Sequence, residues 1–186
     1  LEIGGDINLN GYKAATVTGR VMTAFNRVMN GTFFGNAAGW TLADQEPSAG
    51  YPGWVYDGTM SYTAWGGCAA LVSTRSDSSY EYGVLSQPFT CPPNTGTVLL
   101  ELYTQLYSDI YDANGYITAL ICNPNTGASI TTTWTYAAGT NSWTARSWDI
   151  SSIVSGGGDF ILRLDSRIRT NNAGSKMLVD NVKLIL

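Results

Sequence analysis

Short runs of alternating apolar and polar residues constrain the fold of this chain more than any other feature. A period of two residues is typical of a β-strand with one buried face, and clusters of Gly, Pro, Asn and Ser separate the runs. We find no segment with a convincing helical period. We predict ten strands, at about Gly39–Asp44, Trp54–Asp57, Cys68–Thr74, Tyr82–Thr90, Thr97–Tyr107, Tyr116–Cys122, Ser129–Ala137, Ser142–Ile150, Phe160–Arg169 and Lys176–Leu186.

These strands predict an all-β fold, a two-sheet antiparallel jelly-roll β-sandwich. In the segment Thr97–Tyr107, the residues Val98, Leu100, Leu102 and Leu106 share one phase and are predicted core. Charged residues make up 13% of the chain and aromatic residues 12%. A chain with so many apolar residues and so few charges is neither disordered nor a coiled coil.

Charge and hydropathy exclude two classes of partner. The formal net charge is −4 and no basic run occurs, whereas a nucleic-acid surface needs clustered Lys and Arg. No apolar stretch approaches the ~20 residues of a membrane-spanning helix. We therefore expect no nucleic-acid partner and no membrane span.

The first 26 residues are strand-like. The strands predicted within residues 27–186 already suffice for a sandwich, so residues 1–26 are predicted to be an extended N-terminal arm. In one hypothesis, a neighbouring copy of the chain accepts this arm as a donated strand, and head-to-tail donation builds a filament. In the other, the arm folds back at Asn10-Gly11 and supplies the first strand of its own sandwich. The apolar residues that would anchor a donated arm are Ile3, Ile7, Leu9, Val17 and Val21.

Several features favour an exported protein. The chain starts at Leu1 rather than Met, has few Lys, and carries one glycosylation sequon at Asn30-Gly31-Thr32. We predict an extracellular, cell-surface protein whose signal peptide has been removed, with glycosylation at Asn30. An engineered truncation is the alternative explanation of the first residue.

The three cysteines are Cys68, Cys91 and Cys122, and their spacing does not suit a zinc site in a chain without His. If the segments after Cys68 and before Cys91 form a hairpin, these two residues lie nearly opposite each other. The strand of Cys122 would then lie opposite Thr97–Tyr107. We predict a Cys68–Cys91 disulfide and a buried Cys122 thiol, with three reduced core cysteines as the alternative.

Catalytic motifs are missing from the sequence. Without His, the Ser-His-Asp and Cys-His arrangements are excluded, and no Ser-x-x-Lys spacing occurs. The four glutamates, Glu2, Glu46, Glu81 and Glu101, do not form the paired-carboxylate pattern of sandwich-fold glycanases. We expect a protein that is not an enzyme.

Four short segments resemble carbohydrate-binding jelly-roll modules, which are galactose-binding-like domains. Such modules are appended to many glycanases. These segments are MNGTFFGNAAGWTL, YGVLSQPFTCPPNTGTVLLELYTQ, TNSWTARSWDIS and MLVDNVKLIL, and they span the chain from about Asn30 to Leu186. The resemblance implies the sandwich fold. It does not fix the function, because this fold also serves adhesion and surface assembly.

The resemblance also implies candidate sugar-binding residues. In these modules a Thr-x-Arg strand end precedes an aromatic residue and a Gly, and LVSTRSDSSYEYG is similar, with Arg75, Tyr80, Tyr82 and Gly83. Sugars stack on aromatic faces, and Arg donates to hydroxyls. The glycan-binding candidates are Arg75, Tyr80, Tyr103 and Tyr107. A polar turn with one exposed Arg is the alternative.

Two further features concern charged residues in strands. Asp180 shares its phase with Val182 and Leu184 and should point inward, unless a bulge intervenes, so it needs a partner. The resemblance implies a structural calcium held by Asp180 together with backbone oxygens near Asn30 and Gly31. The other feature is a run of charged residues in one phase, expected to be a solvated ladder worth little: Arg163, Asp165, Arg167 and Arg169.

The sequence thus favours a non-catalytic extracellular structural protein. We predict a subunit of a surface filament or pilus-like polymer, whose partners are copies of itself and whose assembly uses the N-terminal arm. The alternative is a carbohydrate-binding module or adhesin domain with glycans as partners.

Overall fold

The computed structural model describes most of the chain. The described residues are 8–9, 12–13, 15–17, 20–22, 26–44, 53–63, 66–72, 80–93, 96–107, 115–125, 129–135, 142–169 and 176–185. In chain order the strands are β1 (Asn8–Leu9), β2 (Tyr12–Lys13), β3 (Ala15–Val17), β4 (Arg20–Met22), β5 (Thr41–Asp44), β6 (Trp54–Asp57), β7 (Cys68–Val72), β8 (Tyr80–Cys91), β9 (Leu99–Tyr107), β10 (Tyr116–Cys122), β11 (Ser129–Thr135), β12 (Thr144–Asp149), β13 (Gly158–Arg169) and β14 (Lys176–Ile185). One short helix, α1 (Ser151–Val154), lies between β12 and β13.

Two five-stranded antiparallel sheets form the sandwich. Sheet I has the order β11-β10-β13-β8-β5, and sheet II has the order β12-β9-β14-β7-β6. All ten predicted strands are present, and the predicted two-sheet antiparallel jelly-roll β-sandwich is confirmed. The helix α1 was not predicted, because four residues are too few to give a helical period.

The core lies between the two sheets and follows the predicted alternation. Val98, Leu100, Leu102 and Leu106 are all buried, which confirms the predicted core face of β9. Gly83 of β8 permits close packing across the core, because a Cβ at this position would lie 2.6 Å from the Trp54 ring. The large indole therefore occupies space that any side chain at this position would need.

Residues 26–34 connect the two sheets at one end of the sandwich. The Asn26 Oδ1 accepts hydrogen bonds from the backbone N–H groups of Val28, at 3.0 Å, and Leu184, at 2.9 Å. The Gln87 side chain in sheet I accepts from Met29 N at 2.6 Å and donates to Met29 O at 2.9 Å. The segment is thus hydrogen-bonded to β14 of sheet II and to β8 of sheet I.

The N-terminal arm contains two short antiparallel pairs. Strand β1 pairs with β2, with Leu9 opposite Tyr12, and β3 pairs with β4, with Val17 opposite Arg20. The first pairing has the register expected of the fold-back alternative, with two residues between the paired ones. Among the described residues neither pair joins sheet I or sheet II. Of the predicted anchors, Ile3 and Ile7 lie outside the described residues.

The predicted cysteine pairing is wrong. Cys68 begins β7 in sheet II and Cys91 ends β8 in sheet I, so the assumed hairpin does not form, and no disulfide joins the two cysteines. Cys122 is also free, and it is half-buried rather than buried. Its strand β10 pairs with β11 and β13 instead of with β9. The strands β7 and β8 are consecutive in the chain but are not neighbours in a sheet, because the chain crosses from sheet II to sheet I between them.

Asn30 is half-buried, and its side-chain amide is hydrogen-bonded to the following loop. Its Nδ2 donates to the carbonyl oxygen of Asn36 at 2.9 Å and to that of Ala38 at 3.4 Å. Its Oδ1 accepts from Phe34 N at 2.9 Å. Nδ2 is the atom that an N-linked glycan would modify, and glycosylation at Asn30 stays a prediction.

Candidate binding site

The outer face of sheet I carries a cluster of aromatic and cationic side chains. In β8 the alternate residues Glu81, Gly83 and Leu85 are buried, so Tyr80 and Tyr82 lie on the outer face and are half-buried. In β10 the same alternation buries Ile117 and leaves Tyr116 half-buried on that face. The period of two thus brings tyrosines from two different strands to one surface.

Arg167 of β13 joins these tyrosines into one surface. It lies opposite Tyr116 on one side and opposite Tyr82 on the other. The Arg167 Cζ lies 4.5 Å from the centre of the Tyr80 ring and 4.8 Å from that of Tyr116. A guanidinium at these distances is attracted to the ring faces, which restricts its motion. We call Tyr80, Tyr82, Tyr116 and Arg167 the tyrosine–arginine face.

The predicted charge ladder is only partly present. Arg163 forms a bidentate pair with Asp165, with Nε donating to Oδ1 at 2.5 Å and Nη2 donating to Oδ2 at 2.9 Å. This pairing raises the pKa of Arg163. Arg167, however, packs between two rings and is not simply a solvated charge. The strand phase was sufficient to predict the shared face but not the ring contacts.

Polar side chains continue the same surface. On β10 and β11, Thr118 and Thr133 lie opposite each other, with their hydroxyl oxygens 3.0 Å apart. Thr118 also lies opposite Asp165 of β13. Hydroxyl and carboxylate oxygens therefore border the aromatic rings, and they supply hydrogen-bond acceptors and donors beside an apolar platform.

The predicted glycan residues do not form a single site. Tyr80 belongs to the tyrosine–arginine face, whereas Tyr103 and Tyr107 lie on β9 in sheet II. Arg75 lies outside the described residues. Tyr116 and Arg167 were not predicted as site residues. Their strand phases were available in the sequence, but the order of strands in the sheet was not.

Asp180 is buried beneath a loop on the outer face of sheet II. Its Oδ2 accepts hydrogen bonds from the Tyr62 N–H at 2.8 Å, the Ser61 hydroxyl at 3.1 Å and the Thr63 N–H at 3.5 Å. Its Oδ1 accepts from the Asn181 N–H at 2.6 Å. The expectation of a partnered buried carboxylate is met, and the partners are donors of the loop 58–63.

Asp180 does not point inward, because the bulge that the sequence analysis left open is present. It lies opposite Tyr103 of β9, and the register of β14 shifts between Asp180 and Lys183. This β-bulge returns Val182 and Leu184 to the core between the sheets, while Asp180 stays on the outer face with Leu178. Burial raises the pKa of Asp180, although the hydrogen bonds from residues 61–63 and Asn181 oppose this shift.

A second carboxylate lies beside it on sheet II. The Asp57 Oδ2 lies 2.5 Å from the Lys176 Nζ, and its Oδ1 accepts from the Thr59 N–H at 2.8 Å. Burial opposes ionisation, but Lys176 and Thr59 outweigh it and lower the pKa of Asp57. Burial, together with the charges of Asp57 and Asp180, raises the pKa of Cys68 to about 12. The thiol is therefore protonated and unreactive at neutral pH.

The oxygens of Asp180, Asn30 and Gly31, which were expected to bind calcium, accept hydrogen bonds within the chain. Calcium needs six to eight oxygen ligands, and the Asp180 carboxylate already accepts four hydrogen bonds. The Gly31 carbonyl accepts from the Val182 N–H at 2.8 Å, and the Asn30 carbonyl accepts from Phe33 N. Among the described residues, no group of three His, Cys, Asp or Glu side chains is arranged to hold a metal ion. The calcium stays a prediction.

No family model matches the chain, and no curated protein matches it. Solved structures do resemble it. A carbohydrate-binding module of family 61, solved in complex with beta-1,4-galactotriose, is 11% identical, with a TM-score of 0.56 over 87% of this chain and 98% of that chain. A family 16 carbohydrate-binding module is 16% identical, with a TM-score of 0.57 over 87% of this chain and 100% of that one.

A third similar structure is the CBM22-1 xylan-binding domain of Xyn10C from Paenibacillus barcinonensis. It is 14% identical, with a TM-score of 0.53 over 90% of this chain and 97% of that chain. These neighbours confirm the suspected likeness to carbohydrate-binding jelly rolls. At such low identity the likeness is one of fold. Across the described part of the chain, no helix is long and apolar enough to cross a membrane.

Proposed function

We propose that this chain is a non-catalytic carbohydrate-binding module that binds a polysaccharide across the outer face of sheet I. The observation that carries the proposal is Arg167, which lies between the rings of Tyr80 and Tyr116 on that face. The fold shared with carbohydrate-binding modules supports it. These features favour the alternative drawn from the sequence over the filament subunit.

The proposed binding mode follows from the chemistry of the face. Tyr116, Arg167 and Tyr82 form a row across three neighbouring strands, which spans about 10 Å at the usual strand spacing. The apolar face of a pyranose ring stacks on an aromatic ring, while the hydroxyls at its edge need hydrogen-bond partners. Arg167 supplies donors in the middle of the row, and Thr118 and Asp165 supply oxygens beside it.

The proposal includes an extracellular location. The proposed ligand is an extracellular polysaccharide, and the similar structures include a xylan-binding domain. The chain is proposed to act through binding alone.

Replacing Tyr116 by Ala is expected to weaken polysaccharide binding by about tenfold or more, because the stacking surface beside Arg167 is lost. Tyr116→Phe keeps the ring and should retain most of the affinity. Affinity gel electrophoresis with soluble xylan and with β-1,4-galactan measures both variants against the unmodified chain. Arg167→Ala is expected to cause a comparable loss.

Unchanged migration of both alanine variants, in gels that retard the unmodified chain, would place the binding elsewhere and refute the proposed face. No retardation of the unmodified chain by either polysaccharide, and no signal on a glycan array, would refute the function itself.

Strand donation by the N-terminal arm is a second proposal. The observation that favours it is that sheets I and II contain no strand from residues 1–25 among their described pairings. The arm would then be available to another copy of the chain. The local pairs β1-β2 and β3-β4 oppose this proposal, because a donated arm must be extended.

A chain that begins at Asn26 is expected to remain folded, with an unchanged Tm. This shortened chain keeps the Asn26 side chain and its hydrogen bonds to Val28 and Leu184. A chain that began at residue 27 would lose them. If the arm donates a strand, the intact chain forms polymers in analytical ultracentrifugation and the shortened chain does not. An intact chain that is monomeric at high concentration would exclude strand donation.

A further inference from the structure

A second aromatic surface lies on the opposite side of the sandwich, on the outer face of sheet II. Tyr103 of β9 is covered by Tyr62 from the loop 58–63, with ring centres 3.6 Å apart and ring planes 17° apart. Trp143, which directly precedes β12, meets Tyr62 at 5.9 Å with ring planes 70° apart. Tyr62 remains 40% exposed, one of few large apolar side chains so exposed among the described residues.

The position of Tyr62 is fixed from below. Its own N–H donates to the fully buried carboxylate of Asp180, and the neighbouring Ser61 hydroxyl and Thr63 N–H donate to the same oxygen. Beneath the loop lies a small apolar cluster of Cys68, Ala70 and Leu178, against which Trp143 also packs. The buried Asp180 carboxylate thus fixes the backbone of Tyr62 and the residues on either side of it, while the Tyr62 ring stays exposed. A side chain whose position is fixed before the ligand arrives is preorganised for binding.

Covering the apolar cluster does not explain this arrangement by itself. A loop that only sealed the cluster would place its large side chain downward, whereas Tyr62 stacks flat on another tyrosine and stays exposed. Its hydroxyl is hydrogen-bonded to Tyr103, which raises the pKa of Tyr62. The Tyr62 hydroxyl therefore stays protonated at neutral pH and is a polar group at the edge of an aromatic platform.

The geometry selects the class of ligand. A cation cage needs rings that surround an open centre, but Tyr62 and Tyr103 lie in face-to-face contact and leave no such centre. What remains is a corner between the ring of Tyr62 and the steeply inclined ring of Trp143. Two residues before Tyr103, on the same face of β9, lies Glu101, which is paired in register with Lys183 of β14. A flat apolar surface with polar groups at its border suits a pyranose ring.

We propose that Tyr62, Tyr103 and Trp143 form a second carbohydrate-binding site, so that one domain holds two polysaccharide segments on opposite faces. This inference rests on the proposed function of sheet I. Asp180 is a positioning residue in this site, because it holds the backbone of Tyr62 and does not reach the ligand. The two sites face away from each other across the sandwich, and the chain therefore bridges two glycan chains.

Titration calorimetry with β-1,4-galactotriose and with xylotriose tests the number of sites. We expect two sites in the unmodified chain, one in Tyr62→Ala, one in Tyr116→Ala, and none in the double variant. Tyr62→Phe keeps the ring and should keep both sites. Trp143→Ala is a second variant for the same site, and the Tm of each protein shows whether it is folded.

Bridging gives an independent measurement. The unmodified chain should raise the viscosity of a solution of soluble xylan or β-1,4-galactan. Either single alanine variant should abolish the increase while still being retarded, though less than the unmodified chain, in affinity gels. One site that is lost in Tyr116→Ala and kept in folded Tyr62→Ala and Trp143→Ala would refute the second site and leave the proposed function intact. No heat with either sugar and no binding to either polysaccharide would overturn both.

Discussion

Asp180→Ala is expected to lower the free energy of unfolding by about 3 to 5 kcal/mol, the range for removing one partner from a buried charged network. The Asp180 side chain is fully buried, and its carboxylate accepts from Tyr62, Ser61, Thr63 and Asn181. Alanine leaves these donors without an acceptor beneath the loop. Urea unfolding of the two proteins measures the difference.

Asp159→Ala is the matched control, because Asp159 is exposed and accepts one hydrogen bond, from the Thr90 hydroxyl at 2.7 Å. It should cost less than about 1 kcal/mol. Burial raises the pKa of Asp180 above its ordinary 3.8, so the stabilisation by its carboxyl is greatest below that pH and decreases as the pH rises through the folded pKa. The difference in unfolding free energy between the Asp180→Ala and unmodified proteins should therefore become smaller as the pH rises. Equal stability of the two proteins would show that the hydrogen bonds contribute nothing.

Gly31→Ala is expected to destabilise the chain by roughly 3 kcal/mol or more, because overpacking against backbone cannot be relieved by a rotamer change. A Cβ at Gly31 would overlap the carbonyl oxygen of Val182 and lie 3.0 Å from its carbonyl carbon. The same two residues share a hydrogen bond, from Val182 N to Gly31 O, at 2.8 Å. The segment 26–34 must therefore move away from β14. Thermal unfolding measures the loss.

Two glycines separate the causes of such a loss. A Cβ added to Gly156 would have no neighbour within 4 Å, so Gly156→Ala should leave the Tm nearly unchanged. Gly35 has equally open surroundings but a φ of +72°, so Gly35→Ala reports the backbone strain alone, about 1 to 2 kcal/mol. A Gly31→Ala protein as stable as Gly156→Ala would mean that β14 and the N-terminal segment are not in close contact.

The strands of this fold were predictable because they depend on local alternation. The order of strands in the sheets was not, because pairing depends on which sheet each strand joins. Cys68 and Cys91 illustrate this limit: they flank an apparent hairpin in the sequence, yet their strands belong to different sheets. The bulge after Asp180 illustrates a second limit, since one shift of register reverses the direction of every later side chain.

How far the candidate sites could be predicted also depended on the order of strands in the sheets. Tyr80 was identified because a local motif contains it, and Tyr103 because it lies in a regular strand. Tyr116 and Arg167 became site residues only through the pairing of β10 with β13. Tyr62 had no signal at all, because it lies in a loop without periodicity and is placed by an aspartate 118 residues later in the chain.

The contact between Asn26 and the final strand fixes where the two ends of the sandwich lie. Asn26 forms an isolated antiparallel bridge with Ile185, so the sandwich starts and finishes at the same corner. A host protein could therefore carry it as an insertion in a single surface loop, with little change in the spacing of the loop ends. Tension applied between these two points would peel the bridge and the neighbouring Arg27 to Leu184 hydrogen bond in succession, rather than loading the whole length of β14 at once.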